Sequence, residues 1–398
     1  MRIDLTEQIK LITTKEESQL FFDTCTRFAE AATAVSEIYF DGNFQFPKKV
    51  CDQDLYQYIR CEFGLKAQMT QSVLRMVRSR YNGVKEQLKQ TRVFYRDGKK
   101  RYTYHKNLQW LEKPIRFSRP QADLVRNRDW SFRKGKTLLS LNTLESRVVC
   151  PFQCRKDSRI FDPEWKLGGG KLVYHPSDKH WYFHVSVSKE FPDVSREEIR
   201  QVHGHDRGII NLTTTCDEKE EIFYENGNKV SAVRARYDRT RASLQRKGTK
   251  GAKRVLKRLS GRENGFMNDI NHQISKALAL KPNTLHALED LTGISFHNLD
   301  NRSSEKRHAL RSWSFYDLEQ KLAYKAAMNG SMVKKFDPAY TSQRCPNCGN
   351  IDKTARDRDK HLYTCPVCHS VFNDDEAAAR NIRELGIRYL NGEEDPHY

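Results

Sequence analysis

Apolar residues recur at steps of three and four in two stretches of the N-terminal quarter, which predicts two amphipathic helices. The first follows residues 14–17, Thr-Lys-Glu-Glu, which have the pattern of a capping box, and its apolar face extends from residue 21 to residue 39. The second helix has its apolar face between residues 69 and 88. Residues 2–12 alternate more weakly and predict a strand ahead of both helices.

From about residue 93 the pattern changes to short runs typical of strands, separated by Gly, Pro, Asp and Ser. The runs span residues 93–95, 137–141, 171–174 and 181–187. This spacing predicts a small antiparallel barrel or sandwich. Residues 192–195, Pro-Asp-Val-Ser, have the composition of a linker, and the mixed periodicity after them predicts an α/β region.

The composition indicates which partner and which compartment to expect. The 398 residues include 70 Lys and Arg against 51 Asp and Glu, a formal net charge of +19, which favours a polyanionic partner such as nucleic acid. The length suggests two or three domains, and 20 Phe with 17 Tyr supply enough apolar surface to exclude wholesale disorder. The sequence shows neither a run of about 18 apolar residues nor a signal-peptide core after Arg2, so we expect a cytoplasmic protein without a membrane partner.

Four of the ten cysteines form two Cys-x-x-Cys pairs separated by sixteen residues, the spacing of a four-cysteine zinc site. The predicted ligands of one structural Zn²⁺ ion are Cys345, Cys348, Cys365 and Cys368. His369 follows the second pair either as a turn residue or as a substitute ligand, and we favour the turn. Most of the six scattered cysteines are expected to be buried thiols, with Cys150 and Cys154 as an alternative metal half-site.

Three acidic residues in separate segments are candidates for a magnesium site. Asp206 ends a predicted strand before a glycine-led turn, Glu289 ends an apolar run, and Asp375 lies at the start of a predicted helix. Each has a simpler explanation by itself, as a turn residue, a strand end or a favourable charge at a helix N-terminus. Together they could converge on two Mg²⁺ ions, the arrangement that hydrolyses phosphodiesters. Asp374 is the alternative to Asp375 as the third ligand.

A basic segment extends from residue 229 to residue 262, with thirteen Lys or Arg and one acid, Asp238. Its partial helical periodicity is interrupted at Gly248. The segment is either a solvated helical hairpin or a surface for a polyphosphate chain, and the mutual repulsion of so many cations favours the polyphosphate. Arginines on the second predicted helix likewise form either a solvated surface or a surface that contacts phosphates. The candidate nucleic-acid contacts are Arg75, Arg78, Arg246, Lys247, Lys253, Arg254, Lys257 and Arg258.

The order of these motifs resembles that of the TnpB family, transposon-encoded RNA-guided nucleases related to the compact type V CRISPR effectors. The order begins with the strand that contains Asp206 and continues with Leu-Glu-Asp-Leu at residues 288–291. Tyr-Thr-Ser-Gln at residues 340–343 then runs into the two cysteine pairs, and Asp-Glu-x-Ala-Ala-x-Asn-Ile follows at residues 375–382. By this resemblance the three acids and four cysteines are the site residues of a split nuclease domain.

Other segments are similar to the family more loosely or depart from it. Residues 312–315, 324–326 and 62–65 are similar to family positions. Ala377 stands where the family usually has Asn, and His205 replaces a usual aliphatic residue before the first Asp. Neither departure removes a carboxylate, and the presence of all three acids argues for an active nuclease.

The resemblance implies a multidomain α+β fold. An N-terminal wedge-type β-barrel with an inserted helical recognition lobe would precede an RNase H-like (RuvC-like) α/β nuclease domain with an inserted zinc ribbon. The implied segments are 1–13 (first barrel strand), 14–92 (helical recognition domain), 93–195 (rest of the barrel), 196–335 (first part of the nuclease domain), 336–372 (zinc ribbon, binding target nucleic acid) and 373–398 (last part of the nuclease domain and an acidic tail).

The resemblance also implies an activity, that of an RNA-guided, Mg²⁺-dependent DNA endonuclease cutting beside a short flanking motif. The implied partners are a guide RNA and double-stranded and single-stranded target DNA, bound by a monomer or a homodimer. The basic segment would line the channel for the guide–target heteroduplex. A non-cleaving RNA-guided regulator of transposition or transcription is the alternative. A DNA-strand transferase is disfavoured, because no Tyr or Ser nucleophile accompanies a metal-binding histidine pair.

Overall fold

A computed structural model of the protein describes residues 1–45, 53–90, 92–97, 100–291, 315–357 and 360–398. The chain divides into two compact units, one formed by residues 2–190 and the other by Met1 with residues 191–398. Residues 312–314 of the family-like segment lie outside the described residues. Among the described helices, none is long and apolar enough to span a lipid bilayer.

The first unit combines three described helices with antiparallel strands. Its strands are β1 (Arg2–Leu11), β2 (Arg92–Asp97), β3 (Lys100–His105), β4 (Gln121–Leu124), β5 (Trp130–Arg133), β6 (Leu138–Asn142), β7 (Arg147–Gln153), β8 (Lys166–His175) and β9 (His180–Glu190). Its helices are α1 (Lys15–Asp41), α2 (Gln53–Phe63) and α3 (Ala67–Gln90). Strands β2 and β3 form a separate hairpin, and the other seven form one sheet in the order β4-β8-β9-β1-β7-β6-β5.

The seven-stranded sheet curls round into half of a barrel. Its edge strands β4 and β5 follow each other in the chain, and in the turn between them the Val125 carbonyl oxygen accepts from the amides of Asp129 (2.8 Å) and Trp130 (3.2 Å). Inside the curl, the rings of Trp130 and Phe183 lie 5.1 Å apart. A Cβ atom at Gly170 would lie 2.0 Å from the Phe183 ring, so only glycine fits beneath it. The predicted barrel or sandwich is therefore a single curled sheet.

The N-terminal strand and the helix after it form as the sequence predicts. Strand β1 pairs antiparallel with β9 along nine residue pairs. Helix α1 begins with the predicted capping box, in which the Glu17 amide donates to Thr14 Oγ1 (3.2 Å) and the Thr14 amide donates to Glu17 Oε2 (2.9 Å). The apolar face of α1 packs on the sheet, with the Phe21 ring 5.4 Å from the Trp181 ring. The helix is thereby fixed to the sheet that contains the strand preceding it.

The second unit contains a larger sheet, a smaller sheet and four described helices. Its strands are β10 (Gln201–Asp206), β11 (Asn211–Cys216), β12 (Ile222–Asn226), β13 (Thr284–Glu289), β14 (Met332–Phe336), β15 (Arg356–Asp357), β16 (Leu362–Thr364) and β17 (Val371–Asn373). Its helices are α4 (Asn228–Lys247), α5 (Lys250–Leu278), α6 (Phe315–Met328) and α7 (Asp374–Leu390). The larger sheet has the order β12-β11-β10-β13-β14, and the smaller one has the order β15-β16-β17.

Helix α7 packs closely across the larger sheet. Strands β10, β13 and β14 of this sheet are parallel, whereas β11 and β12 form an antiparallel meander beside β10. A Cβ atom at Gly204 would lie 2.2 Å from the Ala379 carbonyl oxygen, and one at Gly386 would lie 2.6 Å from Val202 Cγ1. Both glycines permit this close approach. Val202 precedes Gly204 in β10, but its contact Gly386 follows Ala379 in α7, so α7 runs antiparallel to β10. The start of α7 therefore lies near the end of β10.

Candidate functional site

Three carboxylates meet at the carboxyl end of the larger sheet. Asp206 is the last residue of β10, and Glu289 is the last residue of β13, its parallel neighbour in the sheet. Asp375 lies in the first turn of α7, which packs over β10. Residues separated by 83 and 86 positions in the sequence are thus brought to one place.

Negative charge is concentrated at this place. Burial raises the pKa of Asp206 well above its usual value, and the nearby charges of Glu289 and Asp375 raise it further. Burial also raises the pKa of Glu289, against the opposing effect of a hydrogen bond donated by the Thr341 hydroxyl. All three carboxylates keep partial exposure to solvent. A divalent cation would relieve their mutual repulsion, which makes the cluster a candidate cation site.

The three carboxylates do not form a group whose ligand atoms all lie within 4.8 Å of one another. Among the described residues, the groups of three or more ligand atoms within 4.8 Å of one another are four cysteines and three histidines. Polar neighbours hold the acids: Asn211 Nδ2 donates to Asp375 Oδ2 (2.9 Å), and Thr341 Oγ1 donates to Glu289 Oε1. Carboxylate oxygens are the type of ligand that Mg²⁺ prefers in proteins.

The adjacent acids Asp374 and Asp375 have different surroundings. Asp374 is 1% exposed, accepts a hydrogen bond from Arg356 Nε (2.8 Å) and lies 3.3 Å from His361 Nδ1. Its carboxylate is thereby engaged in joining α7 to the smaller sheet. The Asp375 side chain is 14% exposed, and its charge acts on Asp206. The two acids therefore differ: Asp374 is engaged within the fold, whereas Asp375 lies beside Asp206.

Two arginines beside the carboxylates are not among the site residues that the sequence predicts. Arg356 Nη2 lies 4.0 Å from Asp375 Oδ1. Arg207 is buried, and its guanidinium donates to the Glu289 carbonyl oxygen. Arg207 does have a sequence signal, because a charged residue directly follows Asp206 at the end of a strand. Arg356 has none, since it is one of several cations between the two cysteine pairs.

The four predicted zinc ligands form one cluster. Their sulfur atoms all lie within 4.8 Å of one another, with 3.5 Å from Cys345 Sγ to Cys368 Sγ and 3.5 Å from Cys348 Sγ to Cys365 Sγ. A tetrahedral Zn²⁺ ion with Zn–S bonds of about 2.3 Å requires sulfur separations of about 3.8 Å. The cluster therefore has the size and the ligands of a closed zinc site.

Both cysteine pairs lie in the same type of turn. Gly349 follows the first pair with φ of 75°, and its amide donates to the carbonyl oxygen of the first cysteine in that pair (3.0 Å). His369 follows the second pair with φ of 58° and makes the equivalent hydrogen bond (3.1 Å). His369 is thus the favoured turn residue and lies outside the cluster. Cys150 and Cys154 belong to no group of three or more ligands in the described part of the chain.

The basic segment forms a helical hairpin with an open cationic surface. Helix α4 ends at Lys247, and Gly248, with φ of 63°, leads the chain into α5. Arg241 is paired with two acids. Six candidate cations on the hairpin are exposed and form no ion pair with a described residue: Arg246, Lys247, Lys253, Arg254, Lys257 and Arg258. The remaining candidates lie on α3 in the first unit, Arg75 exposed and Arg78 half-buried.

Two protein-family models match the chain. A family described as "Probable transposase" matches residues 183–292, a range that includes Asp206 and Glu289. A family described as "Cas12f1-like, TNB domain" matches residues 315–382, which include the four clustered cysteines and Asp375. The two matches therefore cover the residues of both candidate metal sites.

Two curated proteins show how far the similarity extends. The TnpB-like protein MJ0751 of Methanocaldococcus jannaschii is 30% identical over 236 residues, which are 56% of this chain and 81% of the relative. The CRISPR-associated endodeoxyribonuclease Cas12f1 of Sulfoacidibacillus thermotolerans is 28% identical over 236 residues, which are 56% of this chain and 54% of the relative. The matched part thus spans most of the first relative and about half the length of the second.

Solved structures with a similar fold are Cas12 effectors. A Cas12f1–sgRNA–target DNA complex matches with a TM-score of 0.57 at 13% identity, covering 94% of this chain and 83% of that chain. CasPhi-2 (Cas12j) bound to crRNA matches with a TM-score of 0.54 at 9% identity, covering 100% of this chain and 99% of that chain. At such identities the similarity concerns the fold alone.

Proposed function

Because this chain belongs to the TnpB family, we propose that it is an RNA-guided, Mg²⁺-dependent DNA endonuclease. The observation that carries the proposal is the convergence of Asp206, Glu289 and Asp375 at one end of the larger sheet. We assign this sheet, with three parallel strands and an antiparallel meander, to an RNase H-like, RuvC-type nuclease domain. The domain boundaries predicted from the resemblance are part of this proposal.

In the proposed reaction, water attacks the scissile phosphorus of target DNA. Asp206, Glu289 and Asp375 would hold Mg²⁺, which supplies activation of the water and stabilisation of the leaving oxygen. Asn211 fixes the Asp375 carboxylate through its 2.9 Å hydrogen bond, and Thr341 orients Glu289. The partial exposure of the three carboxylates leaves room for a phosphate to approach.

We further propose one structural Zn²⁺ ion in the cysteine cluster and a nucleic-acid-binding role for the α4–α5 hairpin. Four thiolates leave no open coordination position, so the zinc ion would stabilise the ribbon without joining the reaction. The unpaired cations of the hairpin would contact phosphates of a guide–target duplex, and base pairing would supply the sequence specificity. A solved complex of a protein with a similar fold contains both sgRNA and target DNA, which supports these partners.

Replacing Asp375 with alanine should abolish cleavage, whereas Asp374→Ala should mainly loosen the junction between α7 and the smaller sheet. Asp374 is buried against Arg356, and losing a hydrogen bond to a charged group costs about 2 kcal/mol. Cleavage of a guide-matched duplex and the thermal unfolding midpoint would be measured for both variants. Loss of cleavage with Asp374→Ala alone would show that the third ligand is shifted by one residue.

Changing Arg254, Lys257 and Arg258 together to glutamine should weaken nucleic-acid binding equally for every guide sequence. All three are exposed on α5 within five positions of one another. Each lost phosphate contact should reduce the slope of log affinity against log salt by about 0.9 for a duplex and about 0.7 for a single strand. Affinity across a salt series, with several guides, measures both effects.

A matched triple variant tests whether the loss of binding comes from the hairpin surface or only from the loss of positive charge. Arg133, Lys156 and Lys166 are exposed cations outside both the hairpin and the helical segment 14–92, and they form no ion pair with a described residue. Their replacement with glutamine removes the same net charge. We expect this control to keep the wild-type salt slope. If the plots of log affinity against log salt for the hairpin variant and the wild type are instead parallel, the basic segment is a solvated surface.

A further inference from the structure

Three buried histidines lie together on the larger sheet, on the side opposite helix α7. His203 and His205 alternate with Gly204 along β10, so both point away from the helix that Gly204 approaches. His286 is the register partner of His203 across the parallel ladder between β10 and β13. The three side chains are at most 5% exposed, and one ring nitrogen from each lies within 4.8 Å of the other two.

Outer hydrogen bonds orient two of the three rings. His203 Nε2 lies 2.9 Å from Glu218 Oε2, and His205 Nδ1 lies 2.9 Å from Thr215 Oγ1. Metal-bound histidines typically have this arrangement, in which one ring nitrogen meets a carboxylate or another polar group and the other binds the ion. The outer contacts here leave Nδ1 of His203 and Nε2 of His205 for an ion.

The inner ring nitrogens of His205 and His286 face each other. His205 Nε2 lies 3.0 Å from His286 Nδ1, and both rings are fully buried. Apolar side chains would fill this face without the cost of burying polar ring nitrogens. Histidine at all three positions therefore points to a ligand.

We propose that His203, His205 and His286 bind a late first-row divalent ion of the Zn²⁺ type. Neutral imidazole suits such ions, whereas Mg²⁺ prefers oxygen ligands. Two imidazoles on a tetrahedral Zn²⁺ ion, with bonds of about 2.0 Å, have nitrogens about 3.3 Å apart, and the structure has 3.0 Å between His205 and His286. The ion would cross-link β10 to β13, the strands that end in Asp206 and Glu289.

Cobalt binding separates the histidine cluster from the other metal sites. Protein stripped of metal under reducing conditions is titrated with Co²⁺ in excess Mg²⁺, which occupies the carboxylates. Thiolate-to-cobalt charge transfer then identifies the ion bound by cysteine. We expect two equivalents of Co²⁺ in the wild type and one in His286→Leu, with the charge-transfer band unchanged. His184→Leu alters a half-buried histidine outside the cluster and should leave both equivalents.

A wild-type protein that binds one equivalent, with an all-thiolate spectrum, would overturn the proposal, as would a His286→Leu variant that still binds two. Replacing Cys345 and Cys348 together with serine should remove the charge-transfer band and leave the histidine-bound ion. If His286→Leu does not fold, the wild-type spectrum decides, because the proposal requires a cobalt ion without thiolate charge transfer. The readout is bound metal, so it is independent of nuclease activity.

Discussion

Replacing Asp206 with alanine should abolish cleavage of both DNA strands and leave binding of guide RNA and target intact. Its carboxylate lies at the centre of the charge cluster with Glu289 and Asp375, and removing one member of a catalytic group lowers the rate on the order of 10³-fold or more. The fold should survive, because Asp206 ends its strand and is partly exposed. Cleavage of a guide-matched duplex with each strand labelled separately, and affinity without Mg²⁺, measure the two effects.

The matched control for this experiment is Asp290→Ala. Asp290 directly follows Glu289 but is exposed and paired with Lys335 (3.2 Å), so its loss should leave cleavage at the wild-type rate. Continued nicking of one strand by Asp206→Ala would reveal a second catalytic centre. Tight guided binding by the wild type without products, with Mg²⁺ present, would favour the non-cleaving regulator.

Replacing Cys345 with serine should unfold the ribbon and thereby stop cleavage. Cys345 is fully buried and packs in a small cluster with Tyr363 and Ala377, so the apolar core of this segment is small. Structural zinc supplies folding free energy on the order of 10 kcal/mol in small zinc modules. Ala377 lies on α7, so the disturbance would reach the helix that carries Asp375. Zinc content per chain and limited proteolysis of residues 336–372 measure the loss.

Cys61→Ser is the control for the ribbon experiment, because Cys61 is an exposed cysteine on α2. Its zinc content and its proteolysis pattern should equal those of the wild type. Active wild-type protein purified without zinc would contradict a structural zinc ion. So would a Cys345→Ser variant that keeps a protease-resistant ribbon.

The candidate metal ligands could be predicted because each belongs to a short local pattern. Two residues between cysteines are what a tight turn around one ion requires, and an acid that ends an apolar run marks the end of a buried strand. Asp375 also lies six residues before Asn381, which is the spacing that favours it over Asp374 as the third ligand. The structure gives that spacing a physical meaning, since Asn381 Nδ2 donates to the carbonyl oxygens of Thr341 and Arg344 (2.8 Å each) and fixes α7 to the first part of the ribbon.

Contacts that depend on tertiary packing have no comparable local signal. Asn211, Thr341 and Arg356 approach the carboxylates from three separate segments, and each is an ordinary polar residue within its own segment. Likewise, the alternation of apolar and polar residues predicts strands and their faces. It does not predict whether the two edges of a sheet approach each other. His205 and His286 lie 81 positions apart, and nothing in either strand indicates the other.

The pairing of β1 with β9 has a consequence for how the protein is made. Residues 2–10 lie beside residues 182–190, so β1 leaves the ribosome long before its partner exists. At synthesis rates of about 5–20 residues per second, the delay is roughly 10–40 s. During that time β1 is an unpaired strand that other nascent chains could bind, and closing so long a loop is slow even after β9 emerges. Helix α1, with its own capping box, can form early, but completion of the curled sheet should limit the rate of folding on the ribosome.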